Sequence, residues 1–387
     1  MIPSEYKGRP QAFVKHELLK AYLECLFMII GKRYPVISYI DCFAGPWTEG
    51  TESLDATSIS LSLRIMRKCS ETLAKMGYNV RFRALYIEKD PVAYAKLESY
   101  LAEHGQQIET ASFHGEFHHL RHKILEWSGN SGFAFFFIDP WGWKDIIEVS
   151  TLEPLLKRPN SEYLVNFMLD FLRRTLHQQL FEKQMKEIFG EVPQTEDLSV
   201  AEKEALLVKL YQTRLKSIQP PSSGKPRSVT VPILYPVKDR SMYHLVYLTH
   251  HPLGIVKFIE ASKKLDLVQR KVHEQAKQEK RIAATGQGEL FVAHEHVPEK
   301  DGRVALDEVK EYWLKILSVR PQLFGIEKLA DILEETGWFE SDFQQAFGEL
   351  QREGKVENLD APRPRRTRFV HFEANRQKGE RLQKVKS

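Results

Sequence analysis

Short apolar runs that end in a polar residue recur along the first two thirds of the chain. Three of them end at Asp41, Glu88 and Asp139. The run before Asp139 is unbroken, which is typical of a strand covered on both faces. Because the carboxyl ends of parallel strands meet at one edge of a sheet, we expect the three acids to lie along that edge. Strands are predicted over Ile37–Asp41, Val80–Glu88, Gly132–Ile138, Ser161–Phe167, Ser228–Val237 and Tyr243–Thr249.

Segments with helical periodicity separate these strands. Apolar positions recur at helical spacing over Phe13–Gly31 and predict an amphipathic helix with one buried side. Ile59, Leu63 and Met66 predict a second helix within the long interval that follows the first strand. Strands that alternate with helices predict an α/β domain with a mostly parallel sheet, and the last two strands predict an antiparallel hairpin that completes it.

This first domain is predicted to span residues 1–267. From about residue 168 to 218 the pattern is helical and charged, which predicts a helical insertion. The insertion either shapes the substrate side of the domain or only packs against it.

A smaller module is predicted at the C-terminal end of the chain. A charged helical linker over residues 268–300 precedes it, and residues 374–387 form a basic tail. Between them, three helices followed by a hairpin give the element order of a winged helix over residues 301–373. The helices are predicted over Leu306–Leu317, Ile326–Thr336 and Ser341–Arg352, and the hairpin strands over Gly354–Asn358 and Thr367–Phe372.

Positive charge is concentrated at the same end. Residues 361–387 contain nine Lys or Arg and two Glu, a net +7, so the other 360 residues of this +4 chain carry a net −3. A concentrated basic end can hold the phosphates of RNA or DNA, with salt-sensitive affinity and little sequence information. A solubilising disordered tail is the alternative. The arginines assigned to nucleic-acid binding are Arg363, Arg365, Arg366 and Arg368.

Composition limits the class of protein. With 387 residues and 42% hydrophobic content the chain can bury a full core. We expect a cytoplasmic protein without membrane contact, because the N-terminus has no signal peptide and the apolar runs are far shorter than the ~20 residues of a membrane span. The three cysteines form no Cys-x-x-Cys pair, which favours reduced thiols. His118 and His122 have the i, i+4 spacing of zinc ligands, but the chain contains no His-Glu-x-x-His, and no metal site is expected.

The turn after the first strand is the first candidate for cofactor binding. It contains neither Gly-x-Gly-x-x-Gly nor a P-loop, so dinucleotide and Walker-type phosphate sites are not indicated. The segment Asp41-Cys42-Phe43-Ala44-Gly45 instead resembles motif I of S-adenosylmethionine (SAM) methyltransferases. Asp41, Phe43, Ala44 and Gly45 are therefore assigned to cofactor binding. The alternative is that Asp41 only caps the loop and Gly45 only makes a turn.

Three further segments supply weaker cofactor assignments. Glu88, with Lys89 beside it, ends the second strand, where a carboxylate can accept hydrogen bonds from both hydroxyls of a ribose. Gly115 lies in the segment Phe113–Glu116, which follows a further predicted strand between Glu88 and Gly132. It is assigned to the adenine ring, and a plain exposed loop is the alternative. Lys15 and His16 lie on the first predicted helix and are assigned to cofactor binding. The alternative is that they lie at a solvated end of this helix.

Five segments together resemble the three-Cys-motif partner family. They are Lys15–Glu17, Tyr39–Pro46, Ile87–Asp90, Ile138–Trp143 and Tyr243–Pro252. The resemblance covers about residues 13 to 265. It implies a Rossmann-like class I methyltransferase domain, SAM as the cofactor and a three-Cys-motif protein as a possible partner. More distantly, the first helix and turn are similar to ribosomal RNA adenine-N6 methyltransferases, and the Asp139 motif is similar to transfer RNA guanine-N2 methyltransferases.

Both distant relatives modify an exocyclic amine of a base, and this suggests how the Asp139 motif would act. Asp139 would accept one amine hydrogen and the Pro140 carbonyl the other, while Trp141 or Trp143 stacks on the base. Asn166, at the end of the next strand, is assigned to the substrate. The motif departs from the familiar amino-methyltransferase motif, whose final residue is a stacking tyrosine, and Trp141 could instead belong to the core. A partner-dependent or non-catalytic adaptor with a methyltransferase fold is the alternative function.

Overall fold

The computed structural model describes a defined part of the chain. The described residues are 3, 6, 9–45, 57–140, 142, 146–176, 178–220, 224–236, 238, 240–285, 304–361 and 370–385. Trp141, Trp143, Arg363, Arg365, Arg366 and Arg368, all assigned to the site from the sequence, lie outside these residues. None of the described helices combines the length and the apolar character needed to cross a membrane.

A seven-stranded sheet forms the centre of the first domain. The strands are β1 (Val36–Asp41), β2 (Arg81–Glu88), β3 (Glu109–His114), β4 (Phe133–Ile138), β5 (Ser161–Phe167), β6 (Arg227–Leu234) and β7 (Ser241–Thr249). Their order across the sheet is β3-β2-β1-β4-β5-β7-β6, and β7 is antiparallel to both of its neighbours. This order confirms the predicted Rossmann-like methyltransferase fold, including its terminal antiparallel hairpin.

Helices cover both faces of this sheet. They are α1 (Pro10–Ile30), α2 (Ser58–Lys75), α3 (Pro91–His104), α4 (Phe117–Ser128), α5 (Val149–Leu156), α6 (Leu169–Thr175), α7 (Glu182–Phe189) and α8 (Val200–Ile218). Successive residues of β4 point to opposite faces. Phe135 packs against Tyr22 of α1, whereas Phe136 belongs to a core cluster with Leu207 and Tyr211 of α8. The helices α6 to α8 occupy the segment predicted as an insertion.

A buried hydrogen-bond network attaches α1 to the sheet. Glu162 of β5 is 4% exposed and accepts hydrogen bonds from the Tyr22 hydroxyl, at 2.7 Å, and the Thr249 hydroxyl, at 2.9 Å. The Tyr22 hydroxyl also bonds the hydroxyl of Tyr247 on β7. Burial raises the pKa of Glu162 above its ordinary value, and the hydroxyl donors act in the opposite direction. The network fixes the position of α1, which carries Lys15 and His16.

One long helix follows the sheet. α9 runs without interruption over Pro252–Thr285, so the helix predicted over Leu253–Leu267 and the first part of the predicted linker are continuous. The chain folds into two compact units, one of Met1–His250 with Lys264–Arg281 and another of His251–Lys263 with Ile282–Ser387. The predicted domain boundaries at 267 and 300 remain predictions.

The C-terminal unit has the winged-helix arrangement. Its elements are α10 (Leu306–Ile316), β8 (Gln322–Phe324), α11 (Ile326–Thr336), α12 (Glu340–Arg352), β9 (Val356–Asn358), α13 (Ala374–Gln377) and β10 (Glu380–Lys384). Trp313 of α10 is fully buried, and its indole N–H donates to the Phe343 carbonyl of α12 at 2.9 Å. β9 pairs with β10, which lies within the predicted basic tail, whereas the sequence predicted Thr367–Phe372 as its partner. Of that predicted strand, residues 370–372 are not in a strand and the others lie outside the described residues.

Candidate functional site

The three strand-end acids lie on one face of the sheet at its carboxyl edge. In the parallel register, Asp41 is opposite Tyr86 of β2 and Phe137 of β4. Glu88 and Asp139 each lie two residues further along, which is the period at which a strand returns its side chains to the same face. The sheet therefore brings together the three carboxylates that the sequence pattern predicted at this edge.

Asp41 is fully buried at the end of β1. Its carboxylate accepts hydrogen bonds from the Ser58 hydroxyl at 2.7 Å and from the Phe43 N–H at 3.2 Å. Burial raises the pKa of Asp41 to about 6, against the lowering effect of these two donors, and the nearby charge of Asp139 raises it further. Keeping a carboxylate here therefore costs folding free energy.

Ser58 is a site residue that the sequence analysis missed. It is the first residue of α2, directly after Thr57, whose side chain accepts from the Ser60 N–H as an N-cap. A Thr-Ser pair before an apolar helical pattern is a recognisable helix start. Nothing in the sequence, however, relates that start to Asp41, 17 residues earlier.

Asp139 is held between two side chains. Lys15 of α1 forms an ion pair with its Oδ2, and the Asn166 side-chain amide donates to its Oδ1 at 2.7 Å. The side chains of Lys15 and Asp139 are only 13% and 16% exposed, so Lys15 does not lie at a solvated helix end. The structure thus places Lys15 and Asn166 at the motif predicted for catalysis. Pro140 follows as a buried residue.

His16 is buried beside this ion pair. Its Nδ1 lies 3.0 Å from the Tyr6 hydroxyl. Burial, followed by the positive charge of Lys15, lowers the pKa of His16 to about 3. The imidazole is therefore neutral at physiological pH, and His16 is available as a hydrogen-bonding group rather than as a cation.

Glu88 and Gly115 lie at the ends of neighbouring strands. Glu88 is 7% exposed, and its carboxylate accepts from the Asp90 N–H at 2.7 Å. The Gly115 N–H donates to the Glu88 carbonyl at 3.0 Å, and the φ of +140° at Gly115 favours glycine there. Lys89 is exposed, and its carbonyl lies 3.1 Å from Nε2 of His114. Backbone hydrogen bonds thus hold the segment after β3 against the end of β2.

The turn after β1 is held in the same way. The Ala44 N–H donates to the Ile87 carbonyl at 2.8 Å, and the Phe43 ring packs against Phe117, with the ring centroids 5.2 Å apart. Gly45 is half-buried and is the last described residue of the turn. The loop is attached to β2 and α4.

Two unpaired buried polar atoms lie in the same region. Neither the Tyr39 hydroxyl nor the Asn166 side-chain oxygen has a hydrogen-bond partner among the described residues. Burial raises the pKa of Tyr39, and the charges of Asp41 and Asp139 raise it further, which places Tyr39 near both acids. Each orphaned buried polar atom needs an explanation, and a bound group that supplies the missing hydrogen bond is one such explanation.

One group of possible metal ligands lies at the start of α4, among the residues that the structure describes. Glu116, His118 and His119 at the start of α4 have ligand atoms within 4.8 Å of one another. Glu116 and His119 are exposed, and His122 is not a member of this group. The prediction that these histidines serve no metal remains a prediction.

Comparison with known proteins gives one domain assignment. Residues 277–363 match the family model of the GMT-like wHTH domain. The wHTH domain therefore includes α10, α11, α12 and β9, in agreement with the winged-helix arrangement described above. The resemblance of the first domain to the three-Cys-motif partner family remains a prediction.

Solved structures similar to the chain include two O-methyltransferases. The enzyme from Bacillus cereus in complex with SAH is 12% identical, with 60% of this chain and 80% of that chain covered and a TM-score of 0.33. TomG from Streptomyces achromogenes, involved in tomaymycin synthesis and in complex with SAM, is 13% identical, with 65% and 91% covered and a TM-score of 0.34. These sequence identities and TM-scores are too low to assign the fold, which follows from the strand order of the sheet alone. No curated protein matches the chain significantly.

Proposed function

We propose that this protein is a SAM-dependent methyltransferase that modifies an exocyclic amine of a nucleobase in RNA or DNA. The observation that carries the proposal is the shared face of Asp41, Glu88 and Asp139 at the carboxyl edge of the sheet. Open α/β sheets bind their ligands at this edge. A buried acid with a raised pKa and two orphaned polar atoms at the same edge suit a site that is completed by a ligand.

The residues present fit SAM in their chemistry. Glu88 would accept hydrogen bonds from the ribose hydroxyls, and the turn from Asp41 to Gly45 would supply backbone groups. Gly115 would allow close approach of the adenine, because it has no side chain. Lys15 and neutral His16 would serve the polar end of the cofactor. When bound, SAM supplies a methyl group whose bond to sulfur breaks, with the electron pair left on sulfur, as the target nitrogen bonds to the carbon.

Asp139 has the central role on the substrate side. The lone pair of an exocyclic amine is delocalised into the ring, and a carboxylate that accepts an amine hydrogen returns electron density to the nitrogen. Lys15 and Asn166 would fix the carboxylate in position, and such positioning provides much of the rate enhancement in transfer reactions. Each carboxylate oxygen retains further acceptor capacity beyond these two contacts.

The wHTH domain and the basic C-terminal end would dock the nucleic acid. Winged helices also bind proteins. In this domain α12 is the helix proposed to contact the nucleic acid, and it is not markedly basic. Docking would therefore rely on phosphate contacts, for which Arg363, Arg365, Arg366 and Arg368 are the proposed residues.

One observation favours a second candidate, an adaptor for a three-Cys-motif protein. Both oxygens of Asp139 already have partners within the chain, as in an ion pair whose role is structural. In this case the methyltransferase fold would be retained without turnover, and the partner would carry the chemistry.

Calorimetric titration with SAM tests the enzyme proposal. The folded wild-type chain should bind SAM, and Glu88→Ala should weaken binding by at least about tenfold, the equivalent of one or two hydrogen bonds. Glu71→Ala, an exposed glutamate on α2, is the matched control and should bind normally. A folded wild-type protein that gives no binding heat and no protection from thermal unfolding would favour the adaptor.

A further inference from the structure

Only the nitrogen of the Asn166 side-chain amide has a hydrogen-bond partner among the described residues, and its oxygen has none. Ile138 pairs with Val165 across β4 and β5, so residues 139 and 166 are the next pair along this register. Asn166 is 3% exposed and donates from Nδ2 to Asp139 at 2.7 Å. Its Oδ1 is buried and has no hydrogen-bond partner among the residues that the structure describes.

The orientation of this amide follows from Asp139. A rotated amide would place a carbonyl oxygen against a carboxylate oxygen, which is repulsive, whereas the observed orientation gives the carboxylate a donor. The Asn166 oxygen must therefore face away from Asp139 Oδ1, and it remains an acceptor without a donor. A buried acceptor of this kind is costly unless a ligand or water completes it.

We infer that Oδ1 of Asn166 accepts one hydrogen of the target amine while Asp139 accepts the other. This inference rests on the proposed methyltransferase function and specifies its substrate as a primary amine. It gives Asn166 the role that the sequence analysis gave to the Pro140 carbonyl. A hydroxyl or a ring nitrogen has at most one hydrogen to donate and leaves one of the two acceptors unpaired.

A limit of one methyl group per nitrogen follows. As the nitrogen bonds to the methyl carbon, the hydrogen on Asp139 passes to that carboxylate as a proton and then to water. The product keeps a single N–H, which the Asn166 oxygen holds. A second transfer would need that same hydrogen at Asp139, with a methyl group against the Asn166 oxygen. Sites built to bond an N–H discriminate strongly against analogues that lack it.

The product distribution tests this inference. Total RNA and genomic DNA from cells lacking the gene would be incubated with purified protein and SAM, digested and examined by mass spectrometry. Wild type should yield a nucleoside monomethylated on an exocyclic amine. Asn166→Leu keeps the shape but removes both the acceptor and the donor to Asp139. The overall rate should therefore fall, while the dimethylated fraction should rise by at least about fivefold, the lower bound for a buried acceptor left unpaired. Asn166→Asp keeps an acceptor but places a second carboxyl group against Asp139 in place of the amide donor, so monomethylation should persist at a lower rate.

A binding measurement provides a readout independent of turnover. Once the product is identified, wild type should bind an oligonucleotide carrying the monomethylated base at least about fivefold more weakly than the unmodified one. Asn166→Leu should bind the two within about twofold. If Asn166→Leu does not fold, the smaller Asn166→Ala variant takes its place and should likewise bind the two within about twofold.

Gln219 provides a matched control. Its side-chain amide is also 3% exposed and has no partner among the described residues, but it lies at the C-terminal end of α8. Gln219→Leu should leave the dimethylated fraction unchanged. A product methylated on oxygen or on a ring nitrogen, or an Asn166→Leu enzyme with the wild-type dimethylated fraction, would overturn the inference. A wild-type chain that binds no SAM would instead contradict the proposed function itself.

Discussion

Replacing Asp41 by asparagine should stabilise the protein in the absence of cofactor. Its pKa is raised from 3.8 to about 6 because the carboxylate is buried. A pKa that is higher in the folded state means that folding favours the protonated acid. The stability contributed by this group is therefore greatest below pH 3.8 and falls as the pH rises to about 6. The rise in pKa from 3.8 to about 6 corresponds to a cost of about 3 kcal/mol in folding free energy at pH 7.

Asparagine resembles the protonated acid in shape and charge. Its oxygen can accept from the Phe43 N–H, and its amide can donate to the Ser58 hydroxyl, so the two contacts of Asp41 have equivalents. We expect Asp41→Asn to gain between about 1 and 3 kcal/mol at pH 7, the lower value allowing for imperfect hydrogen bonds. SAM affinity should fall by at least about tenfold, because the turn loses its charge.

Urea unfolding between pH 3.5 and 8, without SAM, measures this gain. The stability difference between variant and wild type should be near zero below pH 4 and reach its full value above pH 7. Ser58→Ala is the control, and its change in stability should have the opposite sign. It removes a hydrogen-bond donor from the ionised Asp41 carboxylate and should therefore destabilise the protein at pH 7. An Asp41→Asn protein that is less stable than wild type at pH 7, or a difference that does not vary with pH, would refute the reasoning.

Three other predictions concern the proposed catalytic motif, the basic end and the wHTH domain. Asp139→Ala should abolish methyl transfer and change SAM affinity by less than about twofold; measured turnover near wild type would remove Asp139 from catalysis. A variant with alanine at four arginines, Arg363, Arg365, Arg366 and Arg368, should show a weaker salt dependence of RNA binding. If all four contact phosphates, the slope of the logarithm of the binding constant against the logarithm of salt concentration should flatten by about 2.8 for single-stranded RNA, and an unchanged slope would exclude these arginines as phosphate contacts. Trp313→Phe should lower the stability of the wHTH domain by about 1–3 kcal/mol in thermal unfolding, because the Phe343 carbonyl loses its buried donor; no change would mean that another donor replaces it.

The sheet could be predicted because its signals are local. The runs that end at Asp41 and Ile138 combine apolar character with an abrupt polar end, and the structure ends β1 and β4 at these residues. α9 was predicted in two parts because charge increases after Leu267. Charge does not end a helix, however, and α9 has no glycine or proline between Gly254 and its end at Thr285.

The side-chain partners at the site could not be predicted, because they come from distant parts of the chain. Lys15 and Asp139 are 124 residues apart and meet only through the packing of α1 on the sheet. β10 was missed for another reason. Glu380–Lys384 is short and carries charged residues, so it has the composition of a tail, and its strand conformation depends on pairing with β8 and β9.

The network around Glu162 has an evolutionary consequence. If Tyr22 alone became phenylalanine, the carboxylate would lose one of its donors and remain buried, a change that costs about 1–3 kcal/mol. If the hydroxyls and the carboxyl were all exchanged for apolar groups of similar shape, the change could be nearly neutral. Homologous chains should therefore keep Tyr22, Glu162, Tyr247 and Thr249 together or lose them together, so that these positions co-vary although they come from three distant parts of the sequence.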